Sequence, residues 1–250
     1  MSDIIIDGKF EYAEKGEGPV LMLLHGLFGE LSNFEQTIAH FSNRYRVITP
    51  IMPLYKTKLK VGVGAFANYI EDFINHFKLE DINLLGNSLG GHVALVYANR
   101  NPEKVKTLIL TGSSGLYEKA FGSDYPRKDD KEFLRKRISV TFYDQKFVTD
   151  ELVDQCHALV NNRQSLINIL RIAKSAIKHN MEEDLPSFKM PTLLIWGKND
   201  NITPPDVADK FHELIPDSTL KWIDKCGHAP MMEHPEEFNE KLDEWISKYN

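Results

Sequence analysis

Ser88 lies in Gly86-Asn87-Ser88-Leu89-Gly90, and Asp200 and His228 follow it along the chain in that order. A serine hydroxyl is a poor nucleophile at neutral pH until a base takes its proton. Imidazole is the usual base, and a carboxylate usually holds it in the right tautomer. Together these three residue types offer nucleophilic attack on a carbonyl carbon, which is acyl transfer. Gly-x-Ser-x-Gly alone describes a glycine-rich turn with an exposed serine equally well. Its flanks decide the reading. The apolar run Ile82 to Leu85 enters it, and His92 to Arg100 leaves it with Val93, Leu95, Val96 and Tyr97 in the pattern of a helix buried between layers. A strand–turn–helix of this kind lifts the serine hydroxyl out of a sharp turn. Gly86 and Gly90 fit that turn because neither carries a side chain. Leu89 starts the helix, so its amide has no acceptor within the helix and is free to bind an oxyanion.

The base and its carboxylate are sought beyond the carboxyl ends of late strands, where sheets of this kind place their sites. Asp200 ends Trp196-Gly197-Lys198-Asn199-Asp200, just past the apolar run from Thr192. His228 lies in Lys225-Cys226-Gly227-His228-Ala229-Pro230, just past the strand-like run Thr219 to Ile223. Singly, Asp200 reads as a turn or cap aspartate and His228 as a structural loop histidine. Jointly, in the order Ser, Asp, His and each after a strand, they fit a catalytic triad. A second oxyanion donor is expected from Gly26-Leu27-Phe28-Gly29, with the Leu27 amide the first choice and that of Phe28 the second.

The other histidines read as structural. His25 is expected to be buried and to shape its loop, His92 to pack behind the serine, and His234 to help begin the last helix. His40, His76, His157, His179 and His212 have no neighbours at metal-ligand spacing, so neither a metal nor a cofactor is expected.

These residues need a frame to position them, and the chain supplies one. Ile4 to Tyr12 reads as a hairpin about Asp7-Gly8. Strands are expected at Pro19–Leu24, Tyr45–Thr49, Asp81–Leu85, Val105–Leu110, Thr192–Trp196 and Thr219–Ile223. Helices at Asn33–Phe41, Ala65–Phe77, Pro204–Leu214 and Pro235–Tyr249 alternate with them, which implies a mostly parallel sheet covered on both faces. The alternation stops over residues 116–188, where Asp129–Ile138, Asp150–Val160 and Gln164–Ile177 all read as helices.

The chain has 250 residues, a net charge of −6 and two cysteines, Cys156 and Cys226. That length suits one domain with an insertion, and its core needs no disulfide. The acidic balance argues against nucleic acid as a partner. The cysteines show neither zinc nor disulfide spacing. The first residues lack the basic and apolar regions of a secretory signal, and no apolar run approaches a membrane span. A soluble cytoplasmic protein is expected, with its oligomeric state unread.

The chain resembles the α/β-hydrolase superfamily along essentially its whole length. The resemblance rests on His25-Gly26, Gly86-Asn87-Ser88-Leu89-Gly90-Gly91, Trp196-Gly197-Lys198-Asn199-Asp200, and Gly227-His228-Ala229-Pro230 followed by Glu233-His234-Pro235. It implies an eight-stranded core from residues 1–115 and 189–250, with residues 116–188 inserted after the sixth strand as a helical cap. It also implies a serine hydrolase with Ser88 as nucleophile, His228 as base, Asp200 as its acid, and Leu27 and Leu89 at the oxyanion. One departure stands out. Pro50-Ile51-Met52-Pro53-Leu54-Tyr55-Lys56 lacks the aspartate and glycine that many relatives carry in a loop bordering the site.

The default activity is a carboxylesterase for small to medium apolar esters. Phe28 and Asn87 are expected at the substrate, together with Leu116, Tyr117, Phe121, Phe142, Tyr143, Met231 and Met232. The same resemblance admits a carbon–carbon bond hydrolase of dienol ring-cleavage products, with Asn87 before the nucleophile and Arg163 or Arg171 holding a carboxylate. Ala229 speaks against it, since that subfamily usually has Trp there. A slow-turnover sensor of a small molecule would keep the same triad.

Overall fold

Leu21, Leu23, Leu85, Ile109, Leu193 and Ile195 pack in one apolar core, while Met22, Leu24, Leu84, Leu110, Leu194 and Trp196 pack in another. Successive side chains of a strand point to opposite faces, so this alternation places one core on each side of a sheet. Both cores are sealed, which is why these strands read as continuous apolar runs rather than alternating ones. The structure, a computed structural model, describes residues 3–29, 31–56, 61–117 and 130–249.

The chain begins with strands β1 (Ile4–Asp7), β2 (Phe10–Lys15) and β3 (Val20–Leu24), then helix α1 (Glu35–Phe41) and β4 (Arg46–Pro50). Helix α2 (Val63–His76), β5 (Ile82–Asn87), α3 (Leu89–Arg100) and β6 (Val105–Thr111) follow. Among the described residues, three α-helices, α4 (Lys131–Ser139), α5 (Asp150–Asn161) and α6 (Arg163–Lys178), separate β6 from β7 (Thr192–Gly197). The chain closes with α7 (Pro205–Leu214), β8 (Ser218–Ile223), α8 (Pro230–Glu233) and α9 (Pro235–Ile246).

The eight strands form one sheet in the order β1-β2-β4-β3-β5-β6-β7-β8. β1 and β2 join antiparallel to each other and to β4, and every other pairing is parallel. This is the mostly parallel eight-stranded sheet expected from the sequence. The strand order reverses at β3, so the loops after β3 and β5 leave toward opposite faces and open a crevice between them. The Gly26–Gly29 loop and Ser88 both lie at that crevice.

Helices α2, α3 and α7 cover one face, and α1 and α9 the other. The helices between β6 and β7 and the turn after α4 touch both cores: Phe142 and Val153 join one, Ile172 and Ala176 the other. They also carry a small cluster of their own, with Leu134, Val160 and Ile169 packed against Leu27, Phe28 and Tyr55. This segment therefore straddles the carboxyl edge of the sheet. Capping residues set its helix starts: Asp130, Thr149 and Asn162 accept from the amides of Phe133, Leu152 and Ser165. One element has no counterpart in the sequence reading. The single turn of α8 is too short for a periodic pattern, and it follows His228 directly. Among the described residues, no helix is long and apolar enough to cross a membrane.

Candidate active site

Ser88 joins β5 to α3 with φ 54° and ψ −119°. A non-glycine residue with positive φ is sterically disfavoured, and such residues persist only where their surroundings hold them. Here the surroundings are backbone. The Ser88 carbonyl accepts from the amides of His92 at 3.1 Å and Ser114 at 3.2 Å, and the Ser88 amide donates to Thr111 O at 3.2 Å. The turn is closed tightly enough that a Cβ on Gly90 would meet Leu24 O at 2.1 Å. Only glycine allows α3 to start this close to β3.

His228 lies in the loop after β8 and is 6% exposed. Its Nδ1 is 2.8 Å from Asp200 Oδ2. Asp200, in the loop after β7, is held in turn by the Ile202 and Thr203 amides on Oδ1 and by the Thr203 hydroxyl at 2.9 Å on Oδ2. A carboxylate fixed this way orients the imidazole.

Ser88 and His228 border one cavity of about 440 Å³. Its floor includes Gly26, Leu27, Phe28, Asn87 and Leu89 from the sheet edge. Its ceiling comes from α4, α5 and α6, and its lining is mostly apolar. Among the described residues, no acceptor bonds the Leu27 or Leu89 amide, and both residues lie beside Ser88 in this cavity. The Pro50–Lys56 segment does not line the cavity but supports the Leu27 loop from behind. Met52 N donates to His25 Nε2 at 3.3 Å, and the Tyr55 hydroxyl donates to Leu27 O. His25 is buried as expected, and burial lowers its pKa.

The expected substrate contacts divide. Phe28, Asn87, Phe142 and Met232 line the cavity. Leu116 and Met231, also expected there, are not among the cavity-lining residues and are buried instead in the two sheet cores, where apolar contact keeps them from water. Tyr117 and Tyr143 are half-exposed outside the lining, and Phe121 lies outside the described residues. Asn87 also braces the site, donating through Nδ2 to Thr111 O at 3.0 Å and His228 O at 3.2 Å. Arg163 and Arg171 are exposed, and Arg137 on α4 is among the residues lining the cavity. The sequence reading missed this arginine and the α6 lining. The signal was present: Leu166, Ile169, Leu170, Ala173, Ala176 and Ile177 recur at three- and four-residue spacing, a stripe broader than one packed seam needs. His179 Nδ1 lies 3.0 Å from His92 Nε2, and this pair fastens the end of α6 to α3.

The family model for the alpha/beta hydrolase fold matches residues 19–142 and 127–235. The chain belongs to the alpha/beta hydrolase fold family. Within the family it is 31% identical, over 96% of its length and 90% of the relative's, to a 2-hydroxy-6-oxo-6-phenylhexa-2,4-dienoate hydrolase of Comamonas testosteroni. A solved alpha/beta hydrolase enzyme, MGS-MChE2, from a lagoon-sediment metagenome shares 46% identity, covers 99% of both chains and superposes with a TM-score of 0.82. An esterase from Exiguobacterium antarcticum, EaEST, shares 25% identity over 99% of this chain and 100% of its own, with a TM-score of 0.81.

Proposed function

We propose that this alpha/beta hydrolase cleaves small to medium apolar carboxylic esters through an acyl-enzyme on Ser88. The observation that carries the reading is His228, hydrogen-bonded to Asp200 and bordering the same apolar cavity as Ser88. His228 takes the Ser88 proton as the hydroxyl attacks the ester carbonyl. The Leu27 and Leu89 amides bind the oxyanion, and losing one such donor typically costs on the order of a hundredfold in rate. His228 then protonates the leaving alcohol, and water repeats the sequence on the acyl-enzyme. Helices α4, α5 and α6 act as a cap over the acyl chain. Turnover of p-nitrophenyl esters from acetate to decanoate tests this reading, with Ser88→Ala and His228→Ala as controls. The expected result is turnover that both substitutions abolish. Wild-type rates in either variant would remove the assignment.

A second reading is favoured by Arg137. A guanidinium stays charged at any working pH and pairs with carboxylates in a fixed fork. Set in a largely apolar cavity, it suits a substrate with an acidic group, as in carbon–carbon bond cleavage of a dienol acid. The relative of known substrate named above acts on such a compound. Bleaching of a dienol acid without ester turnover would select this reading.

A further inference from the structure

Glu233, on the single turn of α8, is 7% exposed and bridges two segments far apart in the chain. Its Oε1 accepts from the Gly227 amide at 2.7 Å, one residue before His228. Its Oε2 accepts from the amides of Tyr143 at 2.8 Å and Asp144 at 3.1 Å, just beyond α4. A third bond runs between the same segments, from the His228 amide to Thr141 O at 2.8 Å.

A buried carboxylate is costly unless its oxygens are satisfied. Among the described residues, no lysine or arginine pairs with Glu233, and backbone amides satisfy it instead. Charge-assisted bonds of this length are the strong and directional ones. Glutamine would keep one accepting oxygen but turn an NH2 toward amides that need an acceptor. The junction is also closed sterically: a Cβ on Gly227 would meet Thr141 O at 2.5 Å.

We propose that Glu233 is a positioning residue for His228, locking the histidine loop to residues 141–144 so that the imidazole keeps its place between Asp200 and Ser88. The inference rests on the assignment of His228 as the base. Its effect belongs in the chemical step and not in binding, because Glu233 does not line the cavity.

Glu233→Gln and Glu233→Asp are compared with the parent protein on a p-nitrophenyl ester. Circular dichroism establishes the fold, and a fluorophosphonate counts active sites. The expected result for Glu233→Gln is a kcat per active site lower by about 10- to 100-fold, as for a catalytic group displaced by up to an ångström. KM should stay within about twofold, since uniform binding is untouched. The downfield proton resonance of His228 Nδ1–H should shift or broaden. Glu233→Asp keeps the charge with a shorter reach and should lie between the two. Should Glu233→Gln not fold, Glu233→Asp carries the same comparison. Folded variants with unchanged kcat per site, or with the loss confined to the active fraction, would overturn the proposal, as would failure of both variants to fold. If Ser88→Ala or His228→Ala keeps activity, the assignment of the base fails instead, and the two failures are distinguished.

Discussion

Asp200 and His228 meet through one 2.8 Å hydrogen bond, and the Thr203 hydroxyl sits against both, 2.9 Å from Asp200 Oδ2 and 3.3 Å from His228 Nδ1. The carboxylate thus has a partner on each oxygen before the histidine is counted. Asp200→Asn would offer an amide NH2 or a weaker acceptor to Nδ1 and favour the wrong tautomer. Its kcat should fall by about 10³- to 10⁴-fold. Thr203→Val removes one bond and keeps the shape, so a loss of about tenfold is expected, the effect of about 1.4 kcal/mol. Steady-state kinetics on one ester, with the fold checked by circular dichroism, measures both. Equal rates for Asp200→Asn and the parent would mean that the pair is structural.

Stability should fall with acid before any carboxylate is protonated. Burial, with His179 beside it, lowers the His92 pKa to about 3, and burial lowers that of His25 as well. A histidine with a lowered folded pKa takes up its proton in the unfolded chain first. The unfolded state therefore binds more protons below about pH 6.5, and stability declines as pH falls through that value. Between about pH 6.5 and 4.5 His92 contributes a slope of up to about 1.4 kcal/mol per pH unit. His92→Gln should remove its share of the slope. Guanidinium unfolding at several pH values gives the answer, and an unchanged slope in the variant would show that His92 does not titrate this way.

Arg137 should separate substrates by charge. In a cavity with an apolar lining its field is weakly screened, so a carboxylate placed near it gains more than it would in water. Arg137→Met is expected to raise KM for a half-ester of a dicarboxylic acid by about tenfold or more, the value of one charge-assisted contact. The matching neutral ester should change little. Equal changes for both esters would show that Arg137 contributes shape and not charge.

The sequence made the ends of the chemistry readable and left its supports hidden. Ser88, Asp200 and His228 each follow an apolar strand, and the strand–loop pattern is local, so their shared edge of the sheet could be derived. Thr203 and Arg137 carry no such local mark, and Glu233 is marked only by the resemblance that Glu233-His234-Pro235 carries. Their roles depend on which segments lie against them after folding: Glu233 reaches Tyr143, 90 residues away. Leu116 and Met231 were expected at the substrate because apolar residues near a site look alike in sequence, whether they face a cavity or a core. Helix α2 begins two residues earlier than its apolar stripe suggests. The Val63 amide there finds the Ser175 hydroxyl on α6 at 3.1 Å, a partner that only the tertiary structure supplies.

The left-handed backbone at Ser88 has a thermodynamic consequence for the whole molecule. Glycine adopts positive φ without penalty, whereas a residue with a Cβ is held there at a cost of order 1–3 kcal/mol. Ser88→Gly should therefore be inert yet melt at a higher temperature than the parent protein, while Ser88→Ala, which keeps the Cβ, should gain much less. A glycine variant that melts no higher than the alanine one would argue against stored strain. Resistance to heat and the serine hydroxyl then pull in opposite directions at this one residue, so selection for heat tolerance alone would act against the serine.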